Sequence, residues 1–420
     1  MEKFVIRGGN KLKGKVRISG AKNGVLAMMP ATILCPGIFT LQNVPNLRDV
    51  WTMSRLLSDM GVYSELNGDE LFIDSRNINS FEAPYEHVKK MRASFYVLGP
   101  LVGRFGKAKV SLPGGCAWGP RPVDLHLKGL EKLGAEITIE GGYVIAKASK
   151  LVGTRIHLDV PSVGATGNIM MAAVLAKGTT IISNAAIEPE ITALAKFLIK
   201  MGAKIHGVGT NILEIEGVDT LHQTNERVIP DRIEAGTILI ASAITEGKVT
   251  IEGCNPYHLT SIISKMEEAG CNFEIHEDKI TVQMDGSPNP VDITTAVYPG
   301  FPTDMQSQWV AFMLKANGVS KITETIYPDR FKHIPELQRL GAQIEMSDNT
   351  AIVYGGKKLS GATVMGSDLR GSAALVLAAL IAEGTTDILR IYHIDRGYES
   401  IDRKLRALGA DIERVPTDEF

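Results

Sequence analysis

The sequence predicts a two-domain α/β protein built from six βαβαββ repeats, three in each domain, with buried central helices. Three observations predict this fold: helix-ending glycines that recur six times, six helices without a polar face, and an N-terminal strand that has no hairpin partner nearby. A chain of 420 residues is also long for one ordinary core, which favours two domains before any motif is considered.

The repeat is marked by an apolar helical run that closes on glycine and turns directly into a β pattern. The glycines that end these runs are Gly61, Gly134, Gly202, Gly270, Gly341 and Gly409. Neighbouring glycines of this set are 68 to 73 residues apart, a regular period that indicates internal repeats. A second set ends another helix in each repeat: Gly37, Gly106, Gly178, Gly247, Gly318 and Gly384. Each repeat therefore has two helices, and two alternating runs follow as a hairpin.

The two helices of a repeat differ in pattern. The first is apolar all round and rich in small residues, at residues 24–34, 91–102, 166–176, 235–244, 305–314 and 371–381. Helices of this kind are buried, whereas the second helices, such as residues 189–200, alternate polar and apolar positions and should face solvent. Helices inside and sheets outside define an inside-out α/β barrel in each domain.

The chain ends predict how the repeats are divided. The sixth repeat stops at residues 410–415 without its final strand, and residues 3–7 form a strand that can supply it. We therefore expect one domain of residues 22–229 and a discontinuous domain of residues 1–21 and 230–420. Two connections between domains would form a cleft that can hinge.

Composition excludes several classes of protein. A formal net charge of -2 argues against a general nucleic-acid or membrane-surface binder, since both need a basic excess. The N-terminus has no apolar signal run, and the longest apolar stretch, residues 373–382, cannot span a bilayer, so we expect a cytoplasmic protein. The four cysteines show no metal-ligand spacing, which predicts reduced thiols and no metal.

Charged and capping residues occur at the starts of the first helices, where free N–H groups and the helix dipole favour anions. They are Lys22, Asn23, Lys89, Arg92, Ser162, Asp231, Arg232, Asp304, Asp368 and Arg370. We interpret them as a site for phosphate or carboxylate groups; interdomain salt bridges and capping are the alternative. For Ser162, helix capping alone is the simpler interpretation.

A loop rich in glycine and proline, residues 112–122, carries Cys116 close to Arg121. A neighbouring cation stabilises a thiolate, so this cysteine is a candidate for chemistry, whereas Cys254 and Cys271 have the surroundings of packing residues. His126 follows the loop, and the sequence leaves open whether it lies behind the site or faces solvent.

Eight ordered stretches resemble the enolpyruvyl transferase family, and within it the branch that acts on UDP-N-acetylglucosamine. They are residues 19–23, 91–94, 112–116, 121–126, 162–166, 302–306, 368–370 and 393–398. The resemblance covers essentially the whole chain. It implies transfer of the carboxyvinyl group of phosphoenolpyruvate to the sugar 3′-hydroxyl with release of phosphate, the first committed step of peptidoglycan synthesis, without a cofactor.

The resemblance also implies roles for particular residues. Cys116 would be the general acid and the site of a covalent adduct, including the one formed by the inhibitor fosfomycin, and Asp304 would take the proton from the sugar hydroxyl. Cations around phosphoenolpyruvate would be Lys22, Arg121 and Arg396, with Arg92 and Arg370 close by. The UDP-sugar site would comprise Asn23, Arg121, Pro122, Val123, Asp124, Leu125, Ser162, Val163, Gly164, Asp304 and Ile326, with Arg330 and Asp368 nearby.

Two other functions fit part of the pattern. The related enzyme that acts on shikimate 3-phosphate shares the repeats but not the Cys116 loop. A non-catalytic sensor of sugar nucleotides could keep the same fold, although the presence of Cys116, Asp304, Lys22 and Arg396 favours an enzyme. The oligomeric state is not predicted.

Overall fold

A computed structural model describes residues 1–89, 91–113 and 123–418 of the chain. Its contacts divide the chain into two compact units, one of Gly20–Ile229 and one of Met1–Ser19 with Pro230–Phe420. Each unit has its own cluster of buried apolar side chains. None of the helices in the described ranges is long and apolar enough to cross a membrane.

The strands, in chain order, are β1 Glu2–Arg7, β2 Lys13–Arg17, β3 Ile38–Gln42, β4 Tyr63–Asn67, β5 Glu70–Asp74, β6 Glu82–Ala83, β7 Lys107–Ser111, β8 Glu136–Glu140, β9 Tyr143–Lys147, β10 Arg155–His157, β11 Thr179–Ser183, β12 Lys204–His206, β13 Ile212–Glu216, β14 Asn225–Arg227, β15 Lys248–Glu252, β16 Asn272–Ile275, β17 Lys279–Gln283, β18 Ile293–Thr294, β19 Val319–Thr323, β20 Gln343–Ser347, β21 Thr350–Tyr354, β22 Thr363–Met365, β23 Thr385–Leu389 and β24 Asp411–Pro416. The α-helices are α1 Lys22–Ala31, α2 Arg48–Asp59, α3 Tyr85–Val88, α4 Leu98–Phe105, α5 Asp124–Lys132, α6 Val163–Ala173, α7 Pro189–Lys200, α8 Arg232–Ile244, α9 Thr260–Glu268, α10 Gln306–Met313, α11 Ile334–Arg339, α12 Leu369–Ala379 and α13 Ile401–Ala407. Short 3₁₀ turns lie at Thr32–Leu34, Arg92–Val97, Pro256–His258, Thr303–Met305, Pro328–Phe331 and Ile391–Arg396.

Six four-stranded sheets are formed by the described residues, three in each unit. All six have the same order, in which the first two strands of a repeat are parallel neighbours and the last strand lies between the second and the third. The sheet of β10, β11, β13 and β12 is one example. The predicted βαβαββ repeat is confirmed by this order.

The N-terminal strand completes the sixth repeat, as predicted. Strand β1 lies between β23 and β24 and pairs antiparallel with both, with Phe4 opposite Ile388 on one side and Arg414 on the other. Two further exchanges were missed by sequence analysis. Strand β2 is the first strand of repeat four and pairs with β15, and β14 is the first strand of repeat one and pairs with β3. In both units, the first repeat is thus completed by a strand that is distant in sequence.

The first helices of the repeats are buried, as their composition predicts. In one unit α8, α10 and α12 contact one another. Every residue of α8 after Arg232 is buried, and so is every residue of α10. The second helices bury one face only: in α9 the buried residues are Ile262, Ile263 and Met266.

Candidate functional site

Asp304 lies in the 3₁₀ turn that leads into α10, with one guanidinium group on each carboxylate oxygen. Arg330 Nη1 is 2.8 Å from Asp304 Oδ1, and Arg370 Nη2 is 2.9 Å from Asp304 Oδ2. The arginine side chains are 13% and 5% exposed, so solvent screens these pairs little. The two arginines therefore hold the carboxylate in one orientation.

Arg370 is fixed from several sides. It is the second residue of α12, whose start is capped by Asp368: the carboxylate Oδ1 accepts from the N–H groups of Arg370 and Gly371 at 2.7 and 2.8 Å. The Arg370 guanidinium lies over the ring of Tyr398, 5.5 Å from its centre. Burial alone would lower the pKa of Arg370, but attraction to Asp304 raises it above its usual value, so the guanidinium stays charged.

Two donor atoms of this arginine pair have spare hydrogen-bonding capacity. Arg330 Nε and Arg370 Nη1 are buried and make no hydrogen bond among the described residues. Buried donors of charged groups are usually paired, because an unmade bond leaves the desolvation cost uncompensated. Carboxylate or phosphate oxygens would satisfy both atoms, and guanidinium groups suit these planar and tetrahedral anions.

Ile326 and Arg396, two further predicted residues of this unit, lie in other segments. Ile326 is 42% exposed, and its N–H donates to Glu324 Oε1 at 2.7 Å. Arg396 ends the 3₁₀ turn Ile391–Arg396 and is partly exposed. Tyr398, two residues on, bonds through its hydroxyl to Thr237 and Gln308 in α8 and α10. These contacts anchor the segment that carries Arg396 to the central helices.

In the unit Gly20–Ile229, Lys22 is the first residue of α1 and Asn23 the second, with Asn23 exposed. Lys22 Nζ is 3.4 Å from Asp49 Oδ2, and the two side chains are 12% and 4% exposed. Asp49 lies in the first turn of α2. Its carboxylate holds the lysine ammonium group close to the helix start.

The start of α6 is shaped by Ser162, Val163 and Gly164. Ser162 Oγ accepts from the N–H of Ala165 at 3.2 Å, which confirms the predicted helix cap. Val163 and Gly164 are the first two residues of the helix, so their N–H groups are free of intrahelical bonds and can face an anion. The neighbouring Val160 is exposed and adds no cation to this surface.

His126 forms the wall behind this helix start. Its Nδ1 lies 2.8 Å from Asn168 Nδ2, and Asn168 Oδ1 accepts from the N–H of Gly99 at 2.7 Å, which fixes the amide orientation. Nδ1 is therefore an acceptor and the ring proton is on Nε2. Burial, followed by the positive charge of Arg92, lowers the His126 pKa to about 3. The alternative of a solvent-facing histidine is wrong, because His126 is only 5% exposed.

Gly164 is required by this packing. A Cβ atom at this position would lie 2.9 Å from both Cε1 and Nε2 of His126. The imidazole is held by Asn168 and by an edge-to-face contact with Phe95, so it cannot easily withdraw. The backbone of α6 can approach the ring only without a side chain here.

Some of the remaining predicted residues of this unit are described by the structure, and others lie outside the described ranges. Val123 is the residue before α5 and is buried, Asp124 is exposed and lies 3.7 Å from Lys128 Nζ, and Leu125 is half-buried. Arg92 is exposed at the start of its 3₁₀ turn. Cys116, Arg121 and Pro122 lie outside the described residues.

Cys35, Cys254 and Cys271 are buried, as packing cysteines are. No group of histidine, cysteine and carboxylate side chains suited to a metal ion occurs in the described part of the chain.

Comparison with known proteins identifies the family. The model of the family EPSP synthase (3-phosphoshikimate 1-carboxyvinyltransferase) matches residues 6–405. The chain belongs to this family of enolpyruvyl transferases. Relatives named UDP-N-acetylglucosamine 1-carboxyvinyltransferase match it over the full length. That of Chlorobium chlorochromatii is 57% identical over 423 residues and 100% of both chains, and that of Thermodesulfovibrio yellowstonii is 55% identical over 99% of this chain and 100% of the relative.

Solved enolpyruvyl transferases share the fold. The enolpyruvyl transferase NikO from Streptomyces tendae superposes with a TM-score of 0.89 at 25% identity, covering 98% of each chain. EPSP synthase from Acinetobacter baumannii has a TM-score of 0.76 at 20% identity, covering 99% of this chain and 100% of that one, which bears on fold alone. The predicted inside-out α/β barrels are confirmed by these neighbours.

Two carboxylates of this enolpyruvyl transferase were not found by sequence analysis. Asp49 lies 27 positions after Lys22 in a solvent-facing helix, and Glu324 follows a strand with no motif around it. Only their burial marks them, with Asp49 3% and Glu324 0% exposed. A charged residue at a predicted core position is the signal that could have found Glu324.

Proposed function

We propose that this enolpyruvyl transferase moves the carboxyvinyl group of phosphoenolpyruvate to the 3′-hydroxyl of UDP-N-acetylglucosamine and releases phosphate, the first committed step of peptidoglycan synthesis. The observation that carries the proposal is the full-length identity of 53 to 57% to relatives named for this reaction. These relatives are named for UDP-N-acetylglucosamine as the acceptor, which disfavours shikimate 3-phosphate.

The reaction proceeds by addition and elimination. Cys116 gives a proton to C3 of phosphoenolpyruvate, the sugar hydroxyl attacks C2, and Asp304 takes the hydroxyl proton, which yields a tetrahedral ketal. C3 then returns a proton to the Cys116 thiolate, the double bond between C2 and C3 forms again, and the bond from C2 to the phosphate oxygen breaks to release phosphate. A carboxylate held by Arg330 and Arg370 suits a base that must keep one orientation.

In this proposal, cationic side chains bind phosphoenolpyruvate, and helix starts with their neighbouring residues bind the UDP-sugar. Lys22, Arg121 and Arg396 surround the carboxylate and phosphate of phosphoenolpyruvate, with Arg92 and Arg370 close by. The UDP-sugar contacts Asn23, Arg121, Pro122, Val123, Asp124, Leu125, Ser162, Val163, Gly164, Asp304 and Ile326, with Arg330 and Asp368 nearby. Support comes from the spare donors of Arg330 and Arg370 and from the free N–H groups at the start of α6.

The chain has two functional domains, residues 22–229 and residues 1–21 with 230–420, and the compact units Gly20–Ile229 and Met1–Ser19 with Pro230–Phe420 support this division. The enzyme acts in the cytoplasm, where both proposed substrates are soluble metabolites. Fosfomycin alkylates the thiol of Cys116.

The test is phosphate release from phosphoenolpyruvate with each acceptor. Release should require UDP-N-acetylglucosamine, and release with shikimate 3-phosphate instead would overturn the assignment. The Cys116→Ser variant should lose turnover and fosfomycin labelling but keep binding of the UDP-sugar in calorimetry. A wild-type protein that binds the UDP-sugar and never releases phosphate would be a sensor rather than an enzyme.

A further inference from the structure

In two repeats, the residue directly after the second strand is an asparagine with a left-handed backbone. Asn43 after β3 and Asn184 after β11 have φ values of 58° and 57°. Each donates its side-chain amide to a carbonyl beyond the first strand of its repeat, Asn43 to Val228 at 2.9 Å and Asn184 to Leu158 at 2.8 Å. In these two repeats the asparagine thus ties two neighbouring strands of the same sheet.

Repeat five has Glu324 at this position, and its carboxylate makes more contacts than those amides. Oε1 accepts from Thr295 Oγ1 at 2.7 Å and from the N–H groups of Ile326 and Tyr327 at 2.7 and 2.8 Å. Oε2 accepts from Thr303 Oγ1 at 2.8 Å. The side chain is fully buried. Four donors satisfy the carboxylate, which is what a buried charge requires.

Three of the four donors, Thr303, Ile326 and Tyr327, belong to segments that carry proposed substrate contacts. Thr303 directly precedes Asp304 in the turn before α10. Ile326 is a proposed contact of the UDP-sugar, and Tyr327 begins the turn that carries Arg330, whose N–H donates to the Tyr327 carbonyl at 3.1 Å. Strand pairing alone needs none of these bonds, since Thr295 and β19 are already joined through the backbone.

We propose that Glu324 is a positioning residue that sets Asp304 and Arg330 at the distance and angle needed for proton transfer from the sugar hydroxyl. It touches no reacting atom and acts through Thr303 and the backbone of Ile326 and Tyr327. This role rests on the proposed function. Replacement should therefore change catalysis and the affinity for the UDP-sugar together.

Three variants separate positioning from folding. Glu324→Ala removes all four acceptor contacts and should lower kcat per folded protein by about 100-fold, the effect of a displacement of about 1 Å at a reacting group, and raise KM for the UDP-sugar. Glu324→Gln keeps an oxygen for three donors, and its amide can donate to the Thr303 hydroxyl, so activity should be restored to near the wild-type value. Thr323→Val is the matched control, because Thr323 is the preceding residue and loses only a hydroxyl contact with Thr350.

A merely structural role would reduce the folded fraction and leave KM unchanged, so a normal KM and kcat per folded Glu324→Ala protein would overturn the proposal. Amide hydrogen exchange gives a readout that does not depend on turnover: the N–H groups of Ile326 and Tyr327 should exchange faster in Glu324→Ala. An inactive wild type would refute the proposed function, and unchanged exchange in the variant would then refute the positioning role separately.

Discussion

The first helices of repeats three and five begin in opposite ways. Helix α6 begins with a serine cap and then Val163 and Gly164, without a charged side chain in its first turn. The turn before α10 carries Asp304, held by Arg330 and Arg370. The repeat supplies a helix start at the same place, and the local residues decide whether backbone N–H groups or charged side chains act there. We expect α6 to bind and α10 to catalyse.

Asp304→Asn gives the largest expected effect. The amide keeps the shape of the side chain but cannot accept the hydroxyl proton, so kcat should fall about 1,000-fold, within the usual range for loss of a general base. Steady-state phosphate release measures this change. Calorimetry should show UDP-N-acetylglucosamine binding close to that of the wild type. Normal turnover by this variant would show that Asp304 is not the general base.

Arg370→Lys tests the same charged site around Asp304. A lysine cannot both contact Asp304 Oδ2 and present the second donor atom that Arg370 Nη1 provides, so kcat/KM for phosphoenolpyruvate should fall about 100-fold. Arg339→Lys is the control, because Arg339 is 58% exposed and lies 3.8 Å from Glu336. If both variants retained full activity, the buried arginine would be structural only.

One buried histidine in each unit, His126 and His333, should make the stability of the fold depend on pH. Burial lowers the pKa of His333 to about 4 and that of His126 to about 3, from an ordinary value of 6.5. The unfolded chain binds protons that the folded histidines do not, so stability falls as the pH drops below about 6.5. At about pH 5 each histidine should cost about 2 kcal/mol.

Denaturant unfolding at about pH 7 and about pH 5 measures this cost. His333→Asn and His126→Asn have no titrating ring, so each should flatten the slope of the unfolding free energy against pH. An unchanged slope in either variant would show that the corresponding imidazole can be protonated in the folded protein.

Gly164→Ala tests the α6 side with a smaller effect. The added methyl group meets the His126 ring at 2.9 Å and should push the helix start away, which weakens UDP-N-acetylglucosamine binding about tenfold, or about 1.4 kcal/mol. The value of kcat at saturation should change little. In a His126→Ala background the same substitution should have no further effect on affinity. An equal loss of affinity in both backgrounds would show that the contact with His126 is not the cause.

The sequence was sufficient for the repeats but not for the contacts between them. Helix-ending glycines such as Gly134 and buried small-residue helices are local signals, and the unpaired residues 3–7 predicted a strand exchange that β1 confirms. Strands β2 and β14 have ordinary patterns whose partners, β15 and β3, are far along the chain.

The candidate site shows the same division. Asp304 and Arg370 were predicted from their places at helix starts and from the family resemblance, but their direct contact spans 66 positions and has no signature in one sequence. The pairing of Lys22 with Asp49 and the packing of His126 on Gly164 were missed for the same reason. Long-range pairs depend on the packing of separate helices, which periodicity does not encode.

The most direct test of the central claim is the identity of the product formed from phosphoenolpyruvate and UDP-N-acetylglucosamine. NMR and mass spectrometry should find one carboxyvinyl group on the 3′ oxygen of the sugar and one phosphate released for each product molecule. A carboxyvinyl group on shikimate 3-phosphate, or a protein that binds the UDP-sugar and leaves it unmodified, would contradict the account.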